Sequence, residues 1–469
     1  MDMKERTPEA HFGQNEMRPY PRGFVYCRSF QKVPDGYVQG PISGLYVAPD
    51  ARVQFAGCGD ISVTVVGICV TTRDNLVDSA CFLLDALKKG DGEFFDAEGE
   101  LCGRYVIFAK KGERIWILND AAAMRSVFYR DDLSAVASHA SIIASSGEVC
   151  DLPFKYGFPG NGTPYADVWL LTANTLIELP AGKVIRYWPR GAIRDVEVGV
   201  AARFVMDAAV ASLRHVARNR TVRLSLTAGM DSRTMLAVCK SSGIEFEAYT
   251  YGNGKDTEID RLFASHLASM LGLVHTVVPT TPAKGRLEQL LSRATYASHH
   301  WSAVGPLQEY FRDPDAIAVS ANLLEIGRCF YLSKNDSLPQ PVTARGMREL
   351  YSTRVKRAVR ESYGLEKFNS RAEKYFEKFL LVSQFNSARG IVDPYDQFYW
   401  EHRMSAWHGL NMLERDFYAQ AFIPFNSRSV WEKLLGVPME QRKKADVFHE
   451  MIRMADIPSL PFNPDRWPM

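Results

Sequence analysis

The fold is decided by one stretch of the chain, Leu224-Ser225-Leu226-Thr227-Ala228-Gly229-Met230-Asp231-Ser232-Arg233. Its mostly apolar beginning, Val222–Thr227, predicts a buried strand, and the small residues after it predict a turn into a helix at Ser232–Cys239. Such a turn directs backbone N–H groups outward at a helix N-terminus, which favours an anion and above all phosphate. Asp231 would repel a phosphate unless a divalent cation lay between them, so the stretch predicts a site for Mg²⁺ and pyrophosphate.

The segments around this stretch predict a parallel sheet. Helices are predicted at Val200–Val216 and Glu258–Leu271, and strands at Glu247–Tyr251, Val274–Val278 and Ala316–Ser320. Strands and helices that alternate at this spacing are typical of an α/β domain with helices on both faces of its sheet. From about residue 345 to the end the pattern is mainly helical. The loop differs from the two commoner phosphate loops, because it matches neither Gly-x4-Gly-Lys-Ser/Thr nor the dinucleotide fingerprint.

The first part of the chain has the pattern of an α+β layered domain. We predict a strand at Ile61–Thr71, a helix at Asn75–Leu87 ending at Gly90, a hairpin of Arg104–Ala109 and Arg114–Leu118, and strands at Ser126–Tyr129 and Ala135–Ser138. The first 25 or so residues, rich in Pro, Glu and Arg, are expected to form a loosely held arm. A second hairpin around Ala181-Gly182-Lys183 closes the domain. We place the boundary near residue 195, which gives domains 1–195 and 196–469.

Charge and hydropathy limit the classes of function. The 469 residues carry 56 Lys and Arg against 54 Asp and Glu, and a formal net charge of +2 argues against a protein that follows nucleic-acid phosphates. The longest apolar run, around Ile61–Val70, suits a buried strand and is too short to span a bilayer. The polar start of the chain does not resemble a signal peptide. We therefore expect a cytoplasmic protein without a nucleic-acid or membrane partner.

The cysteines give no sign of a metal or redox centre. Eight of them are scattered along the sequence without a Cys-x-x-Cys pair or a nearby histidine. This usage favours mostly buried, reduced thiols in a cytosolic protein.

The decisive loop also carries a family resemblance. Thr227-Ala228-Gly229-Met230-Asp231-Ser232 resembles the pyrophosphate-binding loop of the ATP pyrophosphatases, in the branch that includes asparagine synthetase and β-lactam synthetase. The resemblance implies ATP as the nucleotide. Its phosphates would contact Ser225, Thr227, Ala228, Gly229, Asp231 and Ser232, and its adenine would lie against Thr250-Tyr251-Gly252 at the end of the second strand.

The first domain resembles the glutaminase-type, Ntn-like domain of the same branch. The residues that carry this likeness are Gly103-Arg104-Tyr105-Val106, Asn119-Asp120, Arg125-Ser126-Val127-Phe128-Tyr129, Val136-Ala137-Ser138, Thr163-Pro164-Tyr165, Asn174 and Ala181-Gly182. Glutamine-using members carry a cysteine directly after the initiator methionine, as the nucleophile that attacks the glutamine amide. Here that residue is Asp2. We therefore expect a domain that keeps the fold without hydrolysing glutamine, as in β-lactam synthetase.

A second departure concerns the metal. The family's segment Ser-Gly-x-Gly-x-Asp-Glu corresponds here to Val319-Ser320-Ala321-Asn322-Leu323-Leu324-Glu325-Ile326-Gly327-Arg328, in which one acid remains. The resemblance implies that Asp231 and Glu325 together hold Mg²⁺. The alternative is a surface glutamate at the start of a helix, where its charge favours the helix dipole.

Two further departures affect the catalytic residues. Arg415-Asp416-Phe417-Tyr418-Ala419-Gln420-Ala421-Phe422-Ile423-Pro424-Phe425-Asn426 is similar to the family's Glu-x-Arg-x-Pro-Phe-x-Asp segment, with Gln420 in place of the Glu and Phe422 in place of the Arg. The family's lysine near the C-terminus is also missing. Arg466 or Lys444 could supply its positive charge, although a solvated helix face is the simpler interpretation of Lys444.

Together these features predict an ATP- and Mg²⁺-dependent amide-forming ligase. A substrate carboxylate would form an acyl-adenylate with release of pyrophosphate, and an amine would then displace AMP. The implied partners are small carboxylate and amine substrates, and the chain is a possible homodimer. One alternative is a catalytically silent, nucleotide-binding relative that serves as a regulatory or assembly partner. A glutamine-hydrolysing asparagine synthetase is a further alternative, which Asp2 opposes.

Overall fold

A computed structural model describes residues 18–28, 33–145, 149–154, 157–331 and 342–458. Most of the predicted N-terminal arm and the candidate Arg466 lie outside the described residues. No helix in the described part of the chain is both long and apolar enough to cross a membrane.

Two antiparallel sheets make up the first part of the chain. Their strands are β1 (Phe24–Cys27), β2 (Val38–Gln39), β3 (Leu45–Val47), β4 (Val53–Cys58), β5 (Ile61–Thr71), β6 (Leu101–Lys111), β7 (Arg114–Asn119), β8 (Phe128–Arg130), β9 (Ala135–Ala137), β10 (Val168–Leu170), β11 (Thr175–Leu179) and β12 (Lys183–Arg186). The helices are α1 (Ser79–Lys89), α2 (Asp91–Gly99) and α3 (Ala140–Ile143). The first sheet has the order β10-β8-β9-β1-β3-β2, and the second sheet has the order β12-β11-β7-β6-β5-β4.

The two sheets pack face to face because their strands alternate apolar side chains between two cores. In β6, Val106 and Phe108 contact the first sheet, and Ile107 points the other way. On that side α1 and α2 cover the second sheet through residues such as Leu83 and Phe94. This is an α-β-β layering, and its identity with a glutaminase-type domain stays a prediction, as does the boundary near residue 195.

The second part of the chain combines one sheet with many helices. Its strands are β13 (Thr221–Ser225), β14 (Phe246–Tyr251), β15 (His275–Val278), β16 (Ala316–Val319) and β17 (Gln420–Phe422). Its helices are α4 (Val198–Ala217), α5 (Met230–Ser242), α6 (Glu258–Met270), α7 (Arg286–Ala294), α8 (Trp301–Tyr310), α9 (Ala344–Ser352), α10 (Arg357–Tyr363), α11 (Leu365–Val382), α12 (Pro394–Phe398), α13 (Gly409–Arg415), α14 (Arg428–Leu435), α15 (Met439–Lys443) and α16 (Asp446–Met454). A π-helix, Tyr399–His408, joins α12 to α13.

The sheet of the second part is parallel, as predicted, with the order β15-β14-β13-β16-β17. The chain moves outward from β13 to β15 and then returns to the other side of β13 as β16. Where the order reverses in this way, the loops at the carboxyl ends of the two neighbouring strands diverge and leave a crevice. In this fold that crevice lies between the ends of β13 and β16.

Some predicted boundaries were wrong, each for a local reason. The helix predicted from Asn75 begins at Ser79 because the Asp78 side chain accepts the Cys81 N–H at 2.9 Å and caps it. The predicted arm extended too far, since Phe24–Cys27 is a buried strand between β9 and β3. The elements that were not predicted include α2, α7, α8 and β17. The thiols are free and mostly buried, as expected, although Cys58 and Cys81 are exposed.

The first turn of the π-helix places a histidine in an aromatic core. His402 is buried, stacks on Phe398 with ring centroids 4.8 Å apart, and has Nε2 3.2 Å from the Phe158 carbonyl oxygen. Burial lowers the pKa of His402 to about 3. The imidazole is therefore neutral in the folded protein throughout the physiological range.

This burial predicts an acid sensitivity. Below about pH 6.5 the unfolded chain takes up a proton at His402 and the folded chain does not, so stability falls as pH falls. Between pH 6.5 and 5 we expect the free energy of unfolding to fall by about 2 kcal/mol more in the wild type than in a His402→Gln variant. Urea unfolding at several pH values measures this difference. His449→Gln, at an exposed position, is the control and should keep the wild-type slope.

Candidate functional site

The candidate site lies in the crevice where the strand order reverses. β13 and β16 are paired there, with Leu224 opposite Val319, so the segments that follow both strands begin side by side. The loop after β13 leads into α5, and the segment after β16 leads into a 3₁₀ turn, Leu324–Arg328. Both sequence-predicted metal ligands are in these two segments.

Asp231 and Glu325 meet in this crevice. Asp231 is in the first turn of α5, and Glu325 is in the 3₁₀ turn. Burial first, and the Glu325 charge second, raise the pKa of Asp231 well above its usual range, while Arg328 opposes the shift. Arg328 Nη2 lies 2.9 Å from Asp231 Oδ1 and 3.7 Å from Glu325 Oε1. The two carboxylates therefore share one cationic side chain.

This donor set fits a magnesium ion bound together with phosphate. The described residues contain no group of three His, Cys, Asp or Glu side chains that could hold a metal by themselves. Mg²⁺ in nucleotide sites usually takes only one or two carboxylates, and phosphate oxygens and water complete its shell. Asp231 and Glu325 supply those carboxylates, and Arg328 is placed to share them.

The loop before α5 is held closed by its own hydrogen bonds. Thr227 N–H donates to Ser232 Oγ at 3.1 Å, and Gly229 N–H donates to Thr227 Oγ1 at 3.3 Å. Ala228 N–H donates to the Asp260 carboxylate at 2.9 Å. The amides predicted to bind pyrophosphate thus each have an oxygen acceptor within the chain, which phosphate oxygens would replace.

Asp260 is a site residue that the sequence interpretation missed. It lies in the first turn of α6, and α6 follows β14 at the same edge of the sheet as the loop. A carboxylate in the first turn of the next helix was the available signal, because it faces the same crevice. Its carboxylate binds the Ala228 N–H, which is one of the loop amides predicted to bind phosphate.

The predicted adenine segment lies at the end of β14, next to Ser225, the half-buried last residue of β13. The Thr250 hydroxyl is buried, donates to the Leu226 carbonyl at 2.6 Å and contacts His275 Nε2 at 2.9 Å. Thr250 therefore ties three strands together through its side chain. Only its backbone remains to face a ligand.

Gly252 ends this segment in a conformation that needs glycine. Its φ is +134°, and a Cβ at this position would lie 2.4 Å from Thr257 Oγ1. We expect Gly252→Ala to lower the free energy of unfolding by about 1–3 kcal/mol. Urea unfolding measures the loss. Gly199→Ala is the matched control: it lies in α4 with open space around a Cβ, and we expect it to be neutral or slightly stabilising.

A small cavity lies beside Tyr251, in the predicted adenine segment. It is lined by Tyr251, His300, Ala303, Val304, Leu307, Asn411, Glu414, Arg415 and Tyr418. Arg415 is buried, and its guanidinium donates to Ser320 Oγ at 3.0 Å and to Asn322 Oδ1 at 3.3 Å, directly after β16. Arg415 therefore brings a fixed positive charge to the carboxyl edge of the sheet. The sequence pattern gave it no separate role.

The remaining predicted residues lie elsewhere. Lys444 is exposed, immediately after α15, and its charge acts on Glu440 of that helix. Gln420 is in β17, and its Oε1 accepts a hydrogen bond from Arg220 at 2.7 Å. The structure brings Asp231 and Glu325 together, and it adds Arg328, Asp260 and Arg415 to them.

Comparison with known proteins gives only distant similarities. No family model matches the chain, and no curated protein matches it. Among solved structures, the chain resembles the glutamine-dependent NAD⁺ synthetase of Acinetobacter baumannii with bound ADP (TM-score 0.20, 11% identity, 34% of this chain and 31% of that one). It also resembles the NH₃-dependent NAD synthetase of Campylobacter jejuni (TM-score 0.23, 12% identity, 42% and 97%) and the NMN synthetase of Francisella tularensis (TM-score 0.22, 13% identity, 58% and 100%).

These neighbours are synthetases by description, and the likeness to each is weak. The chain spans about a third of the length of the Acinetobacter enzyme. The residues of this chain, rather than these similarities, therefore indicate the chemistry of the site.

Proposed function

We propose that the protein is an ATP-dependent, amide-forming ligase of the asparagine-synthetase type. One observation carries this proposal: Asp231 and Glu325 meet at the reversal of strand order, beside a loop of small residues at the N-terminus of α5. Backbone amides and paired carboxylates are the two elements that bind a metal-bound triphosphate.

The loop would bind the leaving pyrophosphate. The N–H groups of Thr227, Ala228 and Gly229 and the hydroxyl of Ser232 would donate to phosphate oxygens, in exchange for their present acceptors. Asp231 and Glu325 would hold Mg²⁺, which when bound neutralises charge on the phosphates. These donors and charges act most strongly on the pyrophosphate as it leaves, because negative charge accumulates there.

The carboxylate substrate would enter beside Arg415. A buried guanidinium is a preferred partner of carboxylates, and Arg415 lies at the carboxyl edge of β16. A substrate carboxylate oxygen would bond to the α-phosphorus of ATP while the bond to the β-phosphate oxygen breaks. An amine would then attack the acyl carbon, with AMP leaving and a proton lost from nitrogen.

The amine is proposed to come without glutamine hydrolysis. Free ammonia, an amino acid or an amine within the carboxylate substrate are the candidates. A cytoplasmic location, a homodimer and a role for Arg466 or Lys444 in the acyl-transfer step stay predictions.

One observation favours the alternative of a catalytically silent, nucleotide-binding relative. The Asp260 carboxylate accepts the Ala228 N–H, and Arg328 pairs with both Asp231 and Glu325. The groups that would bind the nucleotide therefore already have partners within the chain. ATP binding would have to displace the Asp260 contact. A protein that binds nucleotide without completing the reaction would serve as a regulatory or assembly partner in its nucleotide-bound conformation.

Pyrophosphate release tests the proposal. The full chain is incubated with ATP, Mg²⁺, ammonium and a panel of carboxylic acids that includes amino acids and amino-dicarboxylic acids. A ligase releases equal amounts of pyrophosphate and AMP with one acid or a related group of acids. ATP binding without turnover across the panel supports the silent relative. Glutaminase activity of the intact chain would contradict an amine supply without glutamine hydrolysis.

A further inference from the structure

A second polar cavity lies away from the loop before α5. It lies between strands β5 and β6 of the second antiparallel sheet and strand β17. It opens to solvent, and about 330 Å³ of space lies between its lining residues, part of which is open solvent at the mouth. Its polar lining consists of Arg22, Arg52, Arg104, Arg125, Asp416 and Gln420. Four guanidinium groups therefore surround a space that has one carboxylate in its wall.

That carboxylate is already fully engaged. The two oxygens of Asp416 accept Arg104 Nη1 and Nη2 at 2.5 and 2.8 Å, and one of them also accepts Arg125 Nη1 at 2.9 Å. Arg22 Nη1 donates to two main-chain carbonyls, those of Asp416 and Ala419. Both Asp416 oxygens thus accept hydrogen bonds from Arg104 and Arg125, and Arg22 interacts with the Asp416 charge without a bond to the carboxylate.

Unused donors remain on the buried guanidinium groups. Arg125 is 3% exposed, and its Nε lies buried without a hydrogen-bond partner in the described structure. The Nε of Arg22 is in the same state. Buried donors without acceptors are costly, and a charged donor more so than a neutral one. The cavity lining therefore has fewer hydrogen-bond acceptors than donors, and less negative than positive charge.

The acidic residues near the cavity do not neutralise its positive charge. Asp50 is exposed and accepts the backbone N–H of Arg22 at 3.0 Å, and Asp315 acts on Arg220, a fifth arginine next to Arg22 and Arg52. Asp120 is also buried, and Arg104 acts on its charge, but its oxygens accept the N–H groups of Met124 and Arg125 and the Asn426 amide. Five arginines thus face four carboxylates, of which Asp416 alone lines the cavity.

The local field acts on neighbouring groups. Burial lowers the pKa of Arg125 to about 10. The charge of Asp416 opposes this shift, and the charge of Arg104 adds to it. Burial and then the charge of Arg125 lower the pKa of His139 to about 3. Burial is the main cause of both shifts, and the charge of a neighbouring arginine adds to each of them.

We propose that this cavity binds a small polyvalent oxyanion, of the phosphate or dicarboxylate class, between Arg22, Arg52 and Arg125. Arginine forks match the oxygen spacing of both classes, and such charge-assisted hydrogen bonds are the strong ones. The anion would supply acceptors to the unused donors and offset the excess of positive charge. The site is separate from the proposed ligase centre, and it stands whether or not that proposal holds.

Anion binding is tested on the full chain by calorimetric titration at constant ionic strength, with inorganic phosphate, succinate and, as reference, chloride. We expect one site for phosphate or succinate and none for chloride. The anion that binds more tightly identifies the class. No binding of either anion at millimolar concentration would overturn the proposal.

Variants locate the site. Arg52→Gln removes an exposed lining residue that has no part in the Asp416 pairs, so the variant should fold, and we expect about tenfold weaker binding. Arg345→Gln, on the exposed face of α9, is the matched control and should bind as the wild type does. Asp231→Asn should also leave the affinity unchanged, which separates this site from the loop before α5. Binding that Arg52→Gln leaves intact, or that Asp231→Asn removes, would contradict the proposed location.

Discussion

Replacing Asp231 by asparagine is expected to lower ATP-dependent pyrophosphate release by about 100-fold or more. The change keeps the shape of the side chain and removes one of the two carboxylates that meet in the crevice. The remaining Glu325 cannot by itself offset the charge that collects on the leaving pyrophosphate. The measurement is the initial rate of pyrophosphate release with the most active carboxylate found for the wild type.

Matched variants separate this effect from a general loss of fold. Asp207→Asn lies on the exposed side of α4 and should keep the wild-type rate. Glu325→Gln should lose about as much as Asp231→Asn, and the double variant little more, because residues that act as a unit are not additive. A rate unchanged in both single variants would mean that the carboxylate pair does not bind the metal-bound phosphates.

Removing Glu401 is expected to lower the free energy of unfolding by about 3–5 kcal/mol. Arg186 in β12 donates Nη1 to Glu401 Oε1 at 2.6 Å and Nη2 to Oε2 at 2.7 Å. The two side chains are only 5% and 0% exposed. In Glu401→Ala the guanidinium would remain buried without its charge partner, which is the costly outcome. Urea unfolding of the full chain measures the loss.

Two controls test that explanation. Glu361→Ala breaks a pair with Arg357 in which the side chains are 48% and 82% exposed, and it should cost at most about 0.5 kcal/mol. Replacing Arg186 by leucine and Glu401 by methionine together should recover most of the stability, because no charge is then left buried. A double variant as unstable as Glu401→Ala would show that the loss came from packing.

The parallel sheet was predictable because its signals are local. Val222–Thr227 is a mostly apolar run that passes into small residues, and the observed β13 and α5 start within two residues of the predicted positions. The long strand Ile61–Thr71 matches its predicted bounds for the same reason. In both cases hydrophobic pattern and turn residues agree, so tertiary contacts had little to override.

The elements that were missed depend on distant partners. β17 has three residues within a helical region, and it is a strand because Ile317 and Val319 of β16 pair with it. Phe24–Cys27 similarly becomes a strand by lying between β3 and β9. Short segments of this kind take the structure that their neighbours offer, which a single sequence does not contain.

The candidate site divides in the same way. The small-residue turn with Asp231 was visible in the sequence, and Glu325 entered only through the resemblance. Asp260, Arg328 and Arg415 were not predicted, because each acts through a contact with another segment: Ala228, Asp231 and Ser320 respectively. Residue type and spacing give no measure of such contacts.

The outer face of the first sheet has a consequence for synthesis of the protein on the ribosome. Val25, Phe128 and Leu170 on that face are covered by Ala406 and by Leu410 and Leu413 of α13. Those covering residues are translated roughly 240 residues after Leu170, which at ordinary elongation speeds takes about 10–50 s. For that time the nascent first part covers this apolar face only in part, with α3 through Ala140 and Ile143. A chaperone that binds during translation would protect the rest of this face until the π-helix and α13 displace it.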